Sequence, residues 1–260
     1  MLTAVFVVAL LGLVDFVYGA TDGAMQERFS EVYAQRVWER RGGKLNGNGS
    51  GPGSDQVRTV EIRECLARII DRFNISSMLD AACGSFNWQP LFLGEVEQRR
   101  PGFRYHGVDI VPSVVESNAR RWSAAKSNWR FNVADMSDAS SSWSEAYDLI
   151  LVRDVLFHLT YDKIMCALNN FSRSKSRLLF TTTFPSVDNF NRPVSHRVQP
   201  IRGRQLNEGG YRSVNLQDAP LLLPEPLELC SEKVGKRSIG LWRLPLPSYK
   251  FDANDRPLIC

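Results

Sequence analysis

The sequence predicts an α/β fold, a mostly parallel sheet with helices on both faces and an antiparallel pair of strands at its C-terminal end. Three observations carry this. Apolar runs of strand length at 78–83, 103–110, 129–134, 147–154 and 177–184 alternate with segments of helical periodicity. Alternation at that spacing implies right-handed crossovers between parallel strands, with both sheet faces covered. The runs 227–230 and 238–244, with Lys233-Val234-Gly235-Lys236 between them, then read as a closing hairpin.

Composition sets outer limits. The chain has 260 residues, enough for one full-sized α/β domain with additions, and its 43% hydrophobic content is ordinary for a globular protein. The 32 basic and 28 acidic residues leave a net charge of +4 without a long basic run, so no nucleic-acid surface is expected. Residues 1–20 differ from the rest: an apolar stretch from Leu2 to Val14 is followed by Gly19 and Ala20. This reads as a secretory signal peptide, with a short uncleaved anchor as the alternative and the membrane a partner only in that case. Asn48, Asn74 and Asn170 each begin an Asn-X-Ser acceptor, which suits passage through the secretory pathway. Cys65, Cys83, Cys166, Cys230 and Cys260 contain no Cys-X-X-Cys pair, so the expectation is one or two disulfides, no metal site, and Cys83 as a small buried residue.

Residues 26–41 place Phe29, Val32, Tyr33, Val37 and Trp38 at helical spacing, and Trp38 is available to cover a pocket. The Gly-, Asn- and Ser-rich stretch 42–54 is a linker or a lid, so that 21–56 forms an N-terminal helix with its lid loop. A helix over 57–73 leads into the first strand. Further helices are expected over 90–98, from Pro112 to Trp122, and over 161–171, the second begun by a proline whose missing amide hydrogen would have no partner there. Residues 186–226 are too long for a mere connection and follow the fifth strand, where a substrate would arrive. The main domain spans 57–248, and the tail 249–260 has little to organise it.

Function is read at the strand ends. In an open α/β sheet, ligands bind beyond the carboxyl ends of the strands. The first four strands deliver Asp80, Asp109, Asp135 and Asp154 to that edge, and Gly84 supplies the permissive backbone of the first turn. Taken alone, a buried Asp80 either caps neighbouring amides or contacts a ligand. A dinucleotide site needs a G-x-G-x-x-G turn, whereas Cys83-Gly84-Ser85-Phe86-Asn87-Trp88 has one glycine and two bulky aromatics.

The motifs Leu79-Asp80-Ala81-Ala82-Cys83-Gly84, Gly107-Val108-Asp109-Ile110, Asp135-Met136 and Asp148-Leu149-Ile150-Leu151-Val152-Arg153-Asp154 resemble those of class I S-adenosylmethionine-dependent methyltransferases. The resemblance spans roughly Val57 to Leu244. It implies a Rossmann-like, seven-stranded methyltransferase sheet and S-adenosylmethionine as cofactor. Asp80, Cys83 and Gly84 would then lie at the methionine part, Asp109 would bind both ribose hydroxyls, and Ile110 would pack on adenine. Asp135 would accept from the adenine amino group, the Met136 amide would donate, and Arg153 would complete the cofactor set. A carboxylate suits a diol because it accepts two charge-assisted hydrogen bonds at once. Phe86 and Trp88 depart from the small residues that the family more often has; the expectation is that both pack, the alternative being that Trp88 faces the substrate or the cationic sulfonium.

Asp154 and His158 stand four residues apart, so a helical turn would put them on one face at the mouth of the sheet. His158 suits removal of a hydroxyl proton, with Asp154 orienting it or holding substrate; the alternative is a histidine that caps a helix and packs under the lid. The pattern resembles a methyltransferase group that includes animal glycan-modifying enzymes, which implies O-methylation of a glycan hexose in the secretory pathway. The alternatives are a small-molecule or protein acceptor, or a catalytically silent S-adenosylmethionine-binding module.

Overall fold

The computed structural model describes residues 23–39, 49–139, 145–190, 209–232 and 237–250, together with 258 and 260. The leader, the acceptor at Asn48 and the hairpin turn 233–236 lie outside them. In chain order the elements are α1 (Gly23–Ala34), α2 (Val60–Arg72), β1 (Ser77–Ala81), α3 (Gln89–Arg99), β2 (Arg104–Asp109), α4 (Pro112–Trp122), β3 (Trp129–Val133), β4 (Leu149–Val152), α5 (Tyr161–Arg173), β5 (Leu178–Thr183), β6 (Glu228–Ser231) and β7 (Ser238–Arg243). No helix among the described residues is long and apolar enough to cross a membrane.

The sheet has the order β3-β2-β1-β4-β5-β7-β6. β1 pairs in parallel with both β2 and β4, and β7 runs antiparallel to β5 and β6. Strand order therefore reverses between β1 and β4, and a crevice opens beyond their carboxyl ends at such a reversal. Because neighbouring side chains of a strand point to opposite faces, each strand feeds two cores. Leu79, Ile150, Val152 and Leu179 enter one with α1 and α5; Met78, Leu149, Leu151 and Phe180 enter the other with α2, α3 and α4.

Local chemistry accounts for the helix ends. Thr160 caps α5 by accepting from the Lys163 amide. Pro112 begins α4, as its ring predisposes it to do. α1 stops at Ala34 instead of continuing to 41, since Arg36 adopts a left-handed conformation (φ 55°) that a right-handed helix does not admit. Val37 and Trp38 thereby leave the helix and fold back.

Two long-range disulfides join distant parts of the chain: Cys65 of α2 with Cys230 of β6, and Cys166 of α5 with Cys260 at the tail. Among the described residues Cys83 is left as a buried thiol. The described part of the tail, expected to be unorganised, is held against α5. Asn169 donates to the Tyr249 carbonyl and accepts from the Tyr249 amide, and the Cys260 carbonyl accepts from Ala139. Sequence reading missed this because a covalent bond to Cys166, not local pattern, organises it. The segment 209–223, part of the long insertion, buries Val214, Leu216, Leu221 and Leu223 in the α5-side core.

Replacing Cys166 and Cys260 together by serine should lower stability by about 2–5 kcal/mol, since the bond closes a long loop in the unfolded chain. A denaturant midpoint unchanged from wild type would show that the tail bond contributes nothing.

Candidate functional site

The site is built around the turn after β1. Ala82 (φ 77°), Gly84 (φ 58°) and Phe86 (φ 53°) take left-handed conformations within five residues. The amides of Ala82 and Cys83 both donate to the Val108 carbonyl, at 2.9 and 2.8 Å, which sews the turn to the end of β2. At Gly84 a β-carbon would stand 2.5 Å from Ser50 Oγ and 3.3 Å from the Tyr33 hydroxyl, so only glycine admits both the backbone and the approach of the lid loop. Phe86 swings into an aromatic cluster on the far face, with ring centroids 5.0–5.9 Å from Phe131, Tyr105, Trp129 and Trp122. Trp88 is buried beneath the Arg153 guanidinium. Both aromatics pack, as expected, and also wall the cavity.

Asp80 is buried, and its Oδ2 accepts from Gln89 Nε2 (3.0 Å) and from the Tyr105 hydroxyl (2.8 Å). Neither partner is the backbone amide that a cap would use. Asp109 is braced from two sides: Oδ2 accepts from the Gly84 amide and Oδ1 from the Val111 amide, each at 3.0 Å. Burial pushes both carboxyls up to about 6, against the lowering effect of these hydrogen bonds. Asp135 is buried and accepts from the amide and hydroxyl of Ser137 through Oδ1, at 2.7 Å each. Burial also pushes the Cys83 thiol well up, so Cys83 is a neutral wall and not a nucleophile.

Among the described residues several buried polar atoms lack a hydrogen-bond partner, and one of them belongs to Gln89. Gln89, at the start of α3, donates from Nε2 to Asp80 and to the Cys83 carbonyl, which leaves its Oε1 without a hydrogen-bond partner at 4% residue exposure. Gln89 lines the same cavity. An unpaired buried acceptor costs about 1–3 kcal/mol, so its placement calls for a donor from a ligand. Sequence reading missed it, because a glutamine beginning a helix gives no sign of burial.

The end of β4 differs from expectation. The segment after Val152 is not a helix: Asp154 is left-handed (φ 59°), and a single 3₁₀ turn follows at Leu156–His158. The Asp154 carboxylate lies 3.2 Å from Arg153 Nη1 and 3.1 Å from Arg237 Nη1, and accepts from the Thr182 hydroxyl. It is held by these groups, not as a helical partner of His158. Arg153 in turn pairs with buried Glu232 (3.1 Å) and donates to the Gly53 carbonyl (2.9 Å), while Arg237 also pairs with Glu232. Arg153, placed by resemblance in the cofactor set, lines the cavity but uses its guanidinium to tie β4, the lid loop and the hairpin together. Removing one member of such a buried network typically costs about 3–5 kcal/mol.

His158 is buried, stacks on Trp38 with ring centroids 5.1 Å apart, and donates from Nδ1 to the Gly210 carbonyl. That bond places the proton of a neutral ring on Nδ1 and the lone pair on Nε2. The ring packs under the lid against Trp38.

Together these residues line a cavity with about 950 Å³ of atom-free space, counting its open mouth. Asp80, Cys83, Gly84, Asp109, Ile110, Asp135, Met136, Arg153, Asp154 and His158 all line it. Met25, Phe29, Tyr33 and Trp38 from the N-terminal segment form its cover, which Gln26 fastens by donating to the Ile110 carbonyl at 3.0 Å. Tyr33, Ser50 and Ser85 close the seam through hydroxyl contacts of 2.9 and 3.1 Å. The acceptor-rich floor fits a ligand that carries both a diol and an ammonium group: Asp109 retains lone pairs for the first, and Gln89 Oε1 beside Asp80 suits the second.

No protein-family model and no curated protein matches the chain. Solved structures do. Magnesium protoporphyrin IX methyltransferase of Synechocystis, with bound S-adenosylmethionine, aligns over 88% of this chain and 100% of its own at 14% identity and a TM-score of 0.51. The PH0226 protein of Pyrococcus horikoshii aligns over 72% and 90% at 16% identity and 0.50. A proposed O-methyltransferase of Nostoc punctiforme aligns over 84% and 69% at 14% identity and 0.50. With the strand order and the antiparallel C-terminal pair described above, these likenesses identify the fold of this chain as the Rossmann-like, seven-stranded methyltransferase fold.

Proposed function

We propose that this protein is an S-adenosylmethionine-dependent methyltransferase that O-methylates a hydroxyl of a glycan hexose in the secretory pathway. The observation that carries methyl transfer is the acceptor-lined floor at the strand reversal, where Asp109, Asp80 and the unpaired Gln89 Oε1 face one cavity in a methyltransferase fold. When bound, S-adenosylmethionine supplies an electrophilic methyl group on a sulfonium. The chain's own residues do the rest. Asp109 would accept from the ribose diol, Gln89 and Asp80 would accept from the ammonium, and Ile110 and Met136 would offer apolar walls to adenine, with Asp135 beside them.

A hydroxyl acceptor is supported by His158. Its Nδ1 bond to Gly210 leaves Nε2 as the basic nitrogen, which would take the proton of an acceptor hydroxyl. The buried, aromatic surroundings of the ring limit water as a competing acceptor. A sugar is supported by Trp38, which lines the same cavity and whose buried Nε1 has no hydrogen-bond partner among the described residues, so that it can donate to a hydroxyl oxygen. The secretory setting is supported by two disulfides between distant elements, because such bonds persist in oxidising compartments, and by the apolar leader.

The test is labelled-methyl transfer to a panel of hexose-bearing glycans, small molecules and proteins. His158→Asn should lower turnover by about 10²–10⁴-fold while leaving S-adenosylhomocysteine affinity nearly intact. Equal turnover by wild type and variant would remove His158 as the base. Transfer to proteins or small molecules but to no glycan would overturn the acceptor assignment.

Proton linkage tests the floor. Asp109 and Asp80 titrate near 6 in the free protein, and each accepts more strongly from the ligand as a carboxylate. Affinity for S-adenosylhomocysteine should therefore rise from about pH 5 to about pH 7, with protons released on binding near pH 6. Calorimetry in buffers of different ionisation enthalpy measures that release, and Asp109→Asn should reduce it. Thermal stability is a poorer reporter. A carboxyl raised from 3.8 to about 6 loses its stabilising contribution as pH climbs between those values, while His106, lowered from 6.5 to about 4 by burial and outside the cavity, contributes the opposite slope over much of the same range.

Gln89→Leu should weaken S-adenosylhomocysteine by about tenfold, or about 1.4 kcal/mol. It should leave 5′-methylthioadenosine, which lacks the amino-acid part, within about twofold of wild type on the same scale. Equal losses for both ligands would show that Gln89 acts only through the fold.

A further inference from the structure

We propose that Asn74 is an N-glycosylation site of the folded protein and that Asn170, although it carries the same Asn-X-Ser signal, is not. The inference rests on the secretory reading above and goes beyond it by choosing between acceptors that the sequence presents as equals.

Asn74 follows the end of α2 in a left-handed conformation (φ 49°), a place where asparagine is favoured for its backbone alone. Its surroundings add the rest. The residue is exposed, and its Oδ1 accepts from Arg100 Nη1 at 2.7 Å, while no group among the described residues accepts from its Nδ2. Its position also spares the active site. Asn74 lies three residues before β1 begins at Ser77, at the amino edge of the parallel strands, whereas the cavity opens beyond their carboxyl edge. A bulky, hydrated glycan there projects from the pole opposite the cavity.

Asn170 is the reverse case. It lies in α5 at 1% exposure, and its Nδ2 donates to the Met136 and Asp138 carbonyls, both at 2.9 Å. Those two bonds hold the loop after β3, whose Asp135 and Met136 wall the cavity. A sugar on that nitrogen would remove one of its two N–H groups and place a glycan inside the core. A chain modified there before folding could not form this site.

The chemistry at Asn74 is a transfer from a lipid-linked oligosaccharide. The bond between Nδ2 and the sugar C1 forms as the C1–phosphate bond breaks; the amide loses one proton and the lipid pyrophosphate departs.

The experiment uses the full chain, extended after residue 260 by a spacer and one added glycosylation acceptor, and secreted from eukaryotic cells. Protein that binds S-adenosylhomocysteine is collected and treated with an amide-cleaving glycosidase in heavy-oxygen water, and each acceptor peptide is read by mass spectrometry. The expected result is label at Asn74 and at the added acceptor, and none at Asn170. Label at the added acceptor without label at Asn74 overturns the proposal and leaves the secretory reading standing. Label at Asn170 in ligand-binding protein overturns the exclusion. No label at any acceptor overturns the secretory reading and this proposal with it.

Discussion

The Asp109 carboxylate holds the site in register. It takes the Gly84 amide on one oxygen and the Val111 amide on the other, while the Val108 carbonyl beside it takes the amides of Ala82 and Cys83. The first turn and the second strand end are thereby one unit. The cost of burying this carboxylate appears as a pKa near 6, and a ligand that donates to it would favour the ionised form again. Binding and deprotonation are then coupled through one group.

Around that unit the chain is clamped from three directions. The N-terminal segment covers the cavity and is fastened by Gln26, Tyr33 and Ser50. The Arg153, Asp154, Glu232 and Arg237 network ties β4 to the segment beside β7 and to the lid loop at Gly53. The tail, held by Cys166 and by Asn169, supports the loop after β3, to which Asn170 also donates. No helix lies between β3 and β4 among the described residues, and the tail contacts supply part of what would otherwise hold that loop. The floor of the cavity, its cover and the tail are consequently mechanically linked, although most of their residues are far apart in sequence.

Much of this was legible in the sequence. The strands, the order of helices and the acids at strand ends follow from period-two and period-3.6 patterns and from residue types that mark turns. Four features were not. Gln89 gives no sign of burial; the end of α1 depended on a left-handed Arg36; Asp154 turned away from the helical face expected for it; and the tail was organised by a bond to a residue 94 positions earlier. Each depends on contacts that local periodicity does not encode.

By itself, then, the sequence determined the α/β class and the placement of Asp80, Asp109, Asp135 and Asp154 at one sheet edge, because side-chain alternation and turn chemistry are local properties. Tertiary structure alone decided which buried polar atoms are satisfied and which are left for a ligand. It also decided that His158 carries its proton on Nδ1, and that Asn74 is open to solvent while Asn170 is closed. Burial and hydrogen-bond satisfaction are set by neighbours brought together from the whole chain, and only the assembled fold supplies them.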